Sequence, residues 1–274
     1  MPDPAEAHGH PDGRVTSVRS GMVAEILVDR PAKLNGFTPK MIRELAHAMT
    51  EADGDPAVRV MLLHAAGPHF TAGLDLAKVA EAWDRCEEVY PQDLLDIWNL
   101  RPPLRSKPLV VAVKGVCFTV GVELLLSADI VVAADNCRFS QLEVRRGIMA
   151  SGGATIRMIQ RAGWGNAMRY LLTGDEWDAQ TALRLNFIQE IVPAGTELAR
   201  ARELATTIAE CGAPLAVQAT MANARHALDH GAEAAAVQFD AIRTRLRATQ
   251  DAKEGLLSFV ERRRPAFTGT EDRP

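Results

Sequence analysis

The sequence predicts an α/β fold with a helical C-terminal region. Three short runs, VRVMLLHAA (58–66), KPLVVAVKG (107–115) and IVVAA (130–134), have the length and apolar content of buried strands. Helical segments separate these runs, and strands that alternate with helices pair in parallel. Beyond residue 196, the chain is rich in Ala, Leu, Arg and Glu, which favour helix.

The beginning of the chain predicts a tail followed by a hairpin. Residues 1–13 (MPDPAEAHGHPDG) have neither the positive n-region nor the apolar h-region of a signal peptide, and they predict a disordered tail. The runs VTSVRS (15–20) and MVAEILVD (22–29) have the composition of strands, and Gly21 stands between them. This arrangement predicts a β-hairpin.

Two helices are predicted before the second buried strand. Thr38-Pro39 combines a favoured N-cap with a proline in the first turn, which predicts a helix that runs to about Ala52. The segment 75–100 also predicts helix. We expect a break near Pro91, because proline removes a helical hydrogen bond.

Helix dominates the second half of the chain. A helix over roughly 120–128 is expected between the second and third buried strands, and the pattern turns helical again from 152. The stretch 196–262 predicts an almost continuous helix with interruptions near 212–214 and Gly231, where glycine and proline occur.

The length of the chain suits an α/β core with a helical appendage. A chain of 274 residues can form one large domain or a domain with an appendage, and no low-complexity linker divides it. We therefore predict a core over 14–195 and a helical region over 196–274 that serves oligomerisation.

Composition and charge argue against several classes of protein. The chain is 47% hydrophobic and 24% charged, as in an ordinary globular protein. A formal charge of −4 and a pI near 6.0 argue against a nucleic-acid-binding surface. The longest apolar stretch is interrupted by Lys114, Glu123 and Asp129, so we expect no membrane span.

Familiar catalytic and cofactor motifs are missing from the sequence. It has no GxSxG elbow and no GxxxxGK[ST] loop, and GWGNAM (163–168) lacks the third glycine of a dinucleotide fingerprint. The seven histidines show no metal-ligand spacing, so we expect no metal site and structural roles for His64 and His69. The four cysteines form no CxxC pair, which favours a reducing cytoplasm, and Cys117 is expected to be buried.

Three segments remain as candidates for chemistry: HFTAGLDL (69–76), GVCFTVGVEL (115–124) and FSQLEVRRGI (139–148). Each follows a predicted buried strand, and the first two lead into helices. Backbone N–H groups in the first turn of a helix have no partner within the helix and attract negative charge. Two such turns side by side are suited to holding one developing oxyanion.

Two glutamates accompany these turns. Glu123 follows Val120 by three residues, so its side chain lies on the same helical face as that free N–H. Glu143 lies in the third segment. Burial of a carboxylate is costly unless it is paired or its pKa rises. The structural alternatives are pairing of Glu123 with Lys114 or an arginine, and a surface position for Glu143 beside its neighbouring arginines.

The three segments together resemble the crotonase (enoyl-CoA hydratase/isomerase) superfamily, over roughly residues 14 to 267. HFTAGLDL is similar to the family's F-x-A-G-x-D-[LI] segment. KPLVVAVKGVCFTVGVELLLSADIVVAA is similar to its KPxxAAxxGxxxGGGxELxxxxDxxxA segment. FSQLEVRRGI, LLTGDEWDAQTALRLNFIQEIVP and FVERRRPAF also correspond to family segments.

The resemblance implies a spiral of ββα repeats, a helical trimerisation region, and a homotrimer or a hexamer built from two trimers. It also implies coenzyme A thioester substrates, with coenzyme A as part of the substrate and no separate cofactor. Matched residue by residue, the oxyanion hole falls on the backbone N–H groups of Leu74 and Val120. The two catalytic glutamates fall on Glu123 and Glu143.

The resemblance also implies contacts with coenzyme A, and here the chain departs from the family. The family's lysine after the aspartate is Ala77 here, and the lysine after the C-terminal phenylalanine is Thr268. Lys33, Lys78 or Arg263 are the candidates to replace them at the phosphates. The residues expected to bind the substrate or its coenzyme A part are Lys33, Ala72, Gly73, Asp75, Lys78, Gly121 and Phe267.

The implied activity is hydration of a 2,3-unsaturated acyl-CoA, with Glu123 activating water and Glu143 protonating Cα. Alternatives of the same fold are an enoyl-CoA isomerase and a carnitinyl-CoA-type dehydratase. A non-catalytic or RNA-binding relative is the alternative of a different class, and the glutamate pair and the acidic pI argue against it. Trp83, Tyr90 and Trp98 lie where relatives border the acyl pocket, and packing in the core is their alternative role.

Overall fold

Nine strands and eleven helices make up the computed structural model, which describes residues 11–270. The strands are β1 (Arg14–Ser20), β2 (Val23–Asp29), β3 (Val60–Ala65), β4 (Leu109–Val113), β5 (Val116–Phe118), β6 (Ile130–Ala134), β7 (Arg138–Ser140), β8 (Trp177–Asp178) and β9 (Glu190–Val192). The helices are α1 (Pro39–Gly54), α2 (Leu76–Asp84), α3 (Val120–Ser127), α4 (Ala154–Ala162), α5 (Trp164–Leu171), α6 (Ala179–Arg184), α7 (Glu197–Cys211), α8 (Pro214–His230), α9 (Ala232–Val237), α10 (Phe239–Arg247) and α11 (Gln250–Glu261).

The main sheet has the strand order β1-β2-β3-β4-β6-β9. β1 and β2 are antiparallel, which confirms the predicted hairpin, and each later neighbour pairs in parallel. The parallel strands are almost continuously apolar because helices cover both faces of the sheet. The predicted α/β architecture is therefore confirmed. β9 was not predicted, since its three residues are too few to show a pattern.

Helix α1 begins where the sequence predicted. The Thr38 hydroxyl accepts a hydrogen bond from the Met41 N–H at 3.2 Å, and Pro39 occupies the first turn. The helix buries an apolar face against the hairpin, including Met41, Ile42 and Leu45. This packing holds the first ββα unit together.

A second, smaller sheet has the order β5-β7-β8 and lies beside the turns that carry the candidate site. Thr71 forms a parallel bridge with Cys117, and Phe37 forms one with Leu74. The first bridge holds the turn before α2 against the turn before α3, and the second holds it against the loop before α1. The two strand-to-helix turns predicted from the sequence are therefore neighbours.

The segment 75–100 differs from its prediction. Helix α2 ends at Asp84, before the expected break, and Cys86 adopts a left-handed conformation with φ of 55°. The following residues pack as turns, and the Leu95 N–H donates to the Thr50 hydroxyl at 2.9 Å. Side chains thus satisfy backbone groups that a helix would have satisfied internally.

Helix α7 packs on the outer face of the main sheet. Its alanines Ala201, Ala205 and Ala209 are buried against residues of β3, β4 and β6. Small side chains on one face allow the helix to approach the sheet closely. The boundary predicted between residues 195 and 196 is not tested. Helix α7, which lies beyond that boundary, nevertheless shares a hydrophobic core with the strands.

The helices after α7 contain the predicted interruptions and two others. Gly212 and Gly231 lie at the ends of α7 and α8, as expected. Further breaks occur at Gln238 and at Ala248, where no glycine or proline marks them.

None of the helices in the described range is long and apolar enough to cross a membrane.

The predicted N-terminal tail falls mostly outside the described residues. For residues 11–13 the structure corrects the prediction of disorder, because they pack against α1 and the loop before it. The carbonyl of Pro11 accepts from Arg30 Nε at 3.0 Å, that of Asp12 from the Thr38 hydroxyl at 2.8 Å, and that of Gly13 from Lys40 Nζ at 2.9 Å.

Candidate active site

One cavity of about 370 Å³ gathers most of the chemistry predicted from the sequence. Leu74, Val120, Glu123 and Glu143 all line it. The rest of its wall consists of Leu76, Ala80, Trp83, Tyr90, Trp98, Thr119, Arg146, Ile148, Met149 and Ser151. Its wall is therefore mainly apolar, with two carboxylates and a few polar groups inside.

The backbone around Leu74 leaves one N–H free. The Phe37 N–H donates to the Gly73 carbonyl, and the Asp75 N–H donates to the Phe37 carbonyl, both at 2.8 Å. The Leu74 N–H between them has no acceptor within residues 11–270. It lies at the cavity wall, where an incoming oxygen atom can accept from it.

A second free N–H belongs to Val120. This residue opens α3, and the first hydrogen bond of that helix is donated by Glu123 to the Thr119 carbonyl at 3.0 Å. Within the described part of the chain, the Val120 N–H finds no acceptor. Two unpaired donors in one cavity, one of them at a helix N-terminus, suit an oxygen that gains negative charge.

Two glycines allow these turns to approach each other. Gly73 has φ of 110°, and a Cβ there would collide with Thr119 Oγ1 and lie 3.3 Å from Thr119 Cβ. A Cβ on Gly121 would lie 2.6 Å from Thr71 Cγ2 and 3.1 Å from the sulfur of Cys117. Cys117 is fully buried, as predicted.

Glu123 is buried in the first turn of α3, with 4% of its surface exposed. Its Oε1 accepts hydrogen bonds from the N–H of Gly152 at 2.6 Å and of Ala154 at 3.4 Å. No ion pair with it occurs among residues 11–270, so the structural alternative of a pair with Lys114 is not adopted. Burial and the nearby Glu143 carboxylate raise the pKa of Glu123 to about 7.

Gly152 is needed for this contact. A Cβ at Gly152 would collide with Glu123 Oε2 and would lie 2.7 Å from Trp98 Cε2. A side chain at this position would therefore displace either the carboxylate or the indole ring.

Glu143 opens a 3-10 helix, Glu143–Arg146, and is half-buried at the cavity. With its amide nitrogen toward Glu143, the buried Gln141 side chain donates to both carboxylate oxygens at 3.1 Å. The neighbouring Arg145 is engaged elsewhere, with Asp175 Oδ1 at 2.7 Å. Burial raises the pKa of Glu143, and the described chain provides no cation within ion-pair distance to lower it.

The two carboxylates therefore share an environment that disfavours their ionisation. When two such groups interact, their protons are released in steps that belong to the pair rather than to either residue. Because the pKa values of both carboxyl groups are raised, the pair retains a proton near neutral pH. The cavity can thus hold one protonated and one ionised carboxylate beside two oxyanion donors.

The residues expected to bind coenzyme A do not line this cavity. Asp75 uses its carboxylate within the protein, with Arg30 at 2.8 Å and with the Lys78 N–H at 3.2 Å. Lys78 Nζ lies 3.5 Å from Asp12 and 3.7 Å from Glu81. A role for these two residues at the substrate stays a prediction.

None of the remaining residues expected to contact coenzyme A is among those that line the cavity. Arg263 is held by Glu254 and Glu261. Lys33 is exposed and has no ion pair within the described residues. Phe267 lies against α11, near Gly255, and its carbonyl accepts from Arg59 at 2.5 Å. Their predicted contacts with coenzyme A are untested, as are those of Ala72, Gly73 and Gly121, which flank the two turns.

The three aromatic residues singled out in the sequence all line the cavity. Tyr90 and Trp98 contact each other edge to face, with ring centroids 5.1 Å apart. Trp98 is 5% exposed, whereas Trp83 is 56% exposed. Trp98 thus packs in the hydrophobic core and also lines the cavity, whereas Trp83 lines the cavity from an exposed position.

The predicted structural histidines have structural partners. His69 Nδ1 accepts from the Val116 N–H at 3.1 Å. His64 Nε2 lies 3.9 Å from Glu25, and burial lowers its pKa. Among residues 11–270, no cluster of three or more His, Cys, Asp or Glu side chains is suited to a metal ion.

Sequence reasoning missed the groups that hold the two glutamates. Gly152 and Ala154 lie about thirty residues from Glu123, so local spacing does not connect them, whereas Gln141 lies only two residues before Glu143. The consecutive glycines in MASGGA were the available signal, since a pair of glycines before a helix often marks a close approach of the backbone.

The sequence and the fold are similar to those of known proteins. The sequence model of the enoyl-CoA hydratase/isomerase family matches residues 19–270. A solved structure titled as a probable enoyl-CoA hydratase/isomerase from Mycobacterium abscessus superposes with a TM-score of 0.89 at 44% identity, covering 93% of this chain and 98% of that one.

Two curated relatives show the range of activities among similar sequences. A probable enoyl-CoA hydratase of Mycobacterium bovis is 30% identical over 254 residues, covering 91% of this chain and 96% of that protein. A mitochondrial Δ(3,5)-Δ(2,4)-dienoyl-CoA isomerase of Dictyostelium discoideum is 30% identical over 259 residues, covering 90% of this chain and 88% of that protein.

Proposed function

Because the chain belongs to the enoyl-CoA hydratase/isomerase family, we propose that it is an enoyl-CoA hydratase, which adds water across the 2,3 double bond of an enoyl-CoA thioester. The observation that carries the proposal is the cavity with two carboxylates and two free N–H groups. Hydration needs a base for water, an acid for Cα and a site for negative charge. These groups supply all three.

The thioester oxygen is placed between the N–H groups of Leu74 and Val120. As the oxygen of water bonds to C3, electron density moves through C2 to the thioester oxygen, and the two donors stabilise it there. Removal of one such donor in other enzymes costs about 10²–10³ in kcat, so this pair supplies a large share of the barrier reduction.

The two glutamates move the protons. Ionised Glu123 takes a proton from the attacking water, and protonated Glu143 gives a proton to C2, so that one water is added in total. A proton passes from Glu123 back to Glu143 to restore the starting state. The backbone N–H groups of Gly152 and Ala154 hold Glu123 in place and favour its ionised form.

Isomerisation is the second candidate. The family includes isomerases, and one relative is named a dienoyl-CoA isomerase at 30% identity. A carnitinyl-CoA-type dehydratase would use the same carboxylates to remove water. Retention of both glutamates favours hydration, because isomerisation requires one group that removes a proton and returns it.

The test is a comparison of substrates. We expect hydration of crotonyl-CoA or a longer 2-enoyl-CoA, seen as loss of the enoyl absorbance and formation of a 3-hydroxyacyl-CoA. An enzyme that is inactive on every 2-enoyl-CoA but converts a 3-enoyl-CoA would be an isomerase. A panel of acyl groups of different length and width would then define the pocket around Trp83, Tyr90 and Trp98.

Several further features belong to this proposal. The reaction requires no separate cofactor, since the substrate carries coenzyme A. We expect a homotrimer or a hexamer built from two trimers, no nucleic acid or membrane partner, and a cytoplasmic location. Three cations are candidates for binding the coenzyme A phosphates. Of these, Lys33 is the one that forms no ion pair with the described residues.

A further inference from the structure

Thr119 has an unusual backbone conformation at the edge of the candidate active site. Its φ is 50° and its ψ is −113°, a combination that residues with a side chain rarely adopt. Strained conformations of this kind persist only where the surrounding structure enforces them, and they concentrate at functional sites.

Hydrogen bonds on both sides hold the Thr119 backbone. Its N–H donates to the Ser140 carbonyl at 2.8 Å, and its carbonyl accepts from the Glu123 N–H at 3.0 Å. The first bond ties the residue to β7, and the second begins α3. Neither bond involves the side chain, so the side chain is not required for the backbone path.

The Thr119 side chain does not cap the helix that it precedes. Threonine at an N-cap ordinarily accepts a hydrogen bond from the second or third residue of its helix. Here the side chain makes no such bond with α3. The positive φ directs the side chain away from the helix, toward the neighbouring turn and the cavity.

The hydroxyl lies against the turn that carries the first free donor. Thr119 Oγ1 lies so close to Gly73 that an added Cβ there would collide with it. Gly73 directly precedes Leu74, and Thr119 directly precedes Val120. Thr119 also lines the cavity, and within residues 11–270 its hydroxyl has no hydrogen-bond partner.

We propose that the Thr119 hydroxyl is a third hydrogen-bond donor to the thioester oxygen, beside the N–H groups of Leu74 and Val120. This proposal rests on the proposed function, because it needs an acyl-CoA thioester in the cavity. The hydroxyl donates its proton to the oxygen as that atom gains charge, and no covalent bond to Thr119 forms. The alternative is that the side chain only fills the space between the two turns.

Thr119→Val separates the two roles. Valine has nearly the same shape and the same β-branch, so it keeps the packing and removes the donor. We expect kcat on the best enoyl-CoA to fall by about 10²-fold, the order found for one oxyanion donor, with KM nearly unchanged. The pH profile of kcat should keep its shape, because both glutamates are intact.

Thr119→Ser restores the donor and removes the methyl group. It should recover most of the rate that Thr119→Val loses. Thr220→Val serves as the matched control, because Thr220 is exposed on α8 and its hydroxyl bonds only to the Ala216 carbonyl of the same helix. That variant should match the wild type in both kcat and KM.

A second measurement does not depend on turnover. The infrared carbonyl stretch of a bound saturated acyl-CoA should shift to lower frequency on the wild type, and this shift should shrink in Thr119→Val and return in Thr119→Ser. Equal shifts in wild type and Thr119→Val would overturn the proposal. Equal loss of rate in the valine and serine variants would assign Thr119 to packing and also overturn it.

The two proposals fail in different ways. A wild-type protein that converts no enoyl-CoA refutes the proposed function, and the infrared comparison still decides whether Thr119 bonds the thioester. A wild-type protein that hydrates enoyl-CoA, with Thr119→Val equally fast, refutes only the role of Thr119.

Discussion

Glu123 is a buried carboxylate with no ion-pair partner among residues 11–270, and this arrangement is costly for an ionised group. Two backbone N–H groups compensate for part of the cost, and the rest appears as a raised pKa. Glu143 has the same tendency, with the Gln141 amide as its partner. A protein that needed these residues only for folding would gain by replacing them with apolar side chains.

Replacement of Glu143 by glutamine should separate chemistry from structure. Glu143→Gln keeps the size of the side chain but cannot exchange a proton. Hydration of crotonyl-CoA or a longer enoyl-CoA should fall by at least about 10²–10⁴-fold, as for a lost general acid or base, while coenzyme A affinity and thermal stability change little. Steady-state kinetics, calorimetric binding and thermal melting measure these quantities.

Glu123→Gln should cause a similar loss of rate. The double variant should be far less impaired than the product of the single effects, because the two glutamates act on one water as a unit. Near-normal rates in the single variants, together with altered stability, would mean that the pair is structural.

Stability should depend on pH through Glu123. The folded protein holds its proton up to a pH of about 7, whereas the unfolded chain releases it near 4.5. Between these values the folded state binds more protons, so the free energy of unfolding falls as the pH rises. The contribution of this group is thus greatest below about pH 4.5 and is lost through pH 7.

Glu123→Gln removes this loss. Relative to wild type, its free energy of unfolding should improve between pH 5 and pH 8 by roughly 2–3 kcal/mol, because folding raises the pKa of Glu123 from 4.5 to about 7. Denaturant unfolding at both pH values measures it. A difference between the two proteins that does not vary with pH would mean that Glu123 ionises at its ordinary pKa.

The turn before α2 and the turn before α3 work as one element. Two β-bridges join them to each other and to the loop before α1, and the glycines at 73 and 121 permit the close contact. Each turn directs one backbone N–H into the cavity. The positions of these two N–H groups therefore depend on the packing between turns, and not on any single side chain.

Gly73→Val should damage this element selectively. Its φ of 110° is unfavourable for valine, and the added Cβ would collide with the Thr119 hydroxyl. Displacement of the Leu74 donor should lower kcat by about 10²-fold or more, with the fold retained by circular dichroism. Gly54→Val is the control, because a Cβ at Gly54 meets nothing within 4 Å. Unchanged kcat in Gly73→Val would show that this turn does not bind the thioester.

The described chain exposes several large apolar side chains on its C-terminal helices. Val237, Phe239, Leu256, Phe259 and Val260 are all at least half exposed. Large exposed apolar patches mark surfaces that bind a partner. Because these residues lie within the region predicted for oligomerisation, another copy of the chain is the expected partner.

Light scattering should therefore give the mass of a trimer or a hexamer. The double variant Phe259→Asp/Val260→Asp should shift the mass toward the monomer, because charges would be buried in the interface. Val18→Asp, at an exposed position on β1, is the control and should keep the wild-type mass. A well-behaved monomer of the full chain would contradict the prediction.

Removal of the chain after about residue 195 should give an unstable or aggregating protein. The cut removes α7, whose alanines cover buried residues of β3, β4 and β6. The exposed sheet face would then be free to associate. A soluble, cooperatively folding fragment would show that the strands do not need this helix.

The sequence alone determined the hairpin, the central strands and the start of α1, and its motifs singled out the two strand-to-helix turns and the two glutamates that line one cavity. These features depend on local signals: runs of branched apolar residues, a Thr-Pro cap, and short motifs at the ends of strands. Backbone hydrogen bonding and side-chain period act over a few residues, so a short stretch is enough to show them.

Only the tertiary structure decided the end of α2, the partners of the glutamates and the placement of α7. Helix α2 stops at Asp84, and farther along the predicted helical segment the Leu95 N–H donates to the Thr50 hydroxyl of α1 instead of to a helical carbonyl. The Glu123 carboxylate is held by residues about thirty positions away, and its pKa depends on how deeply these contacts bury it. Burial and contacts between distant segments arise from the packing of the entire chain, and no local pattern in the sequence records them.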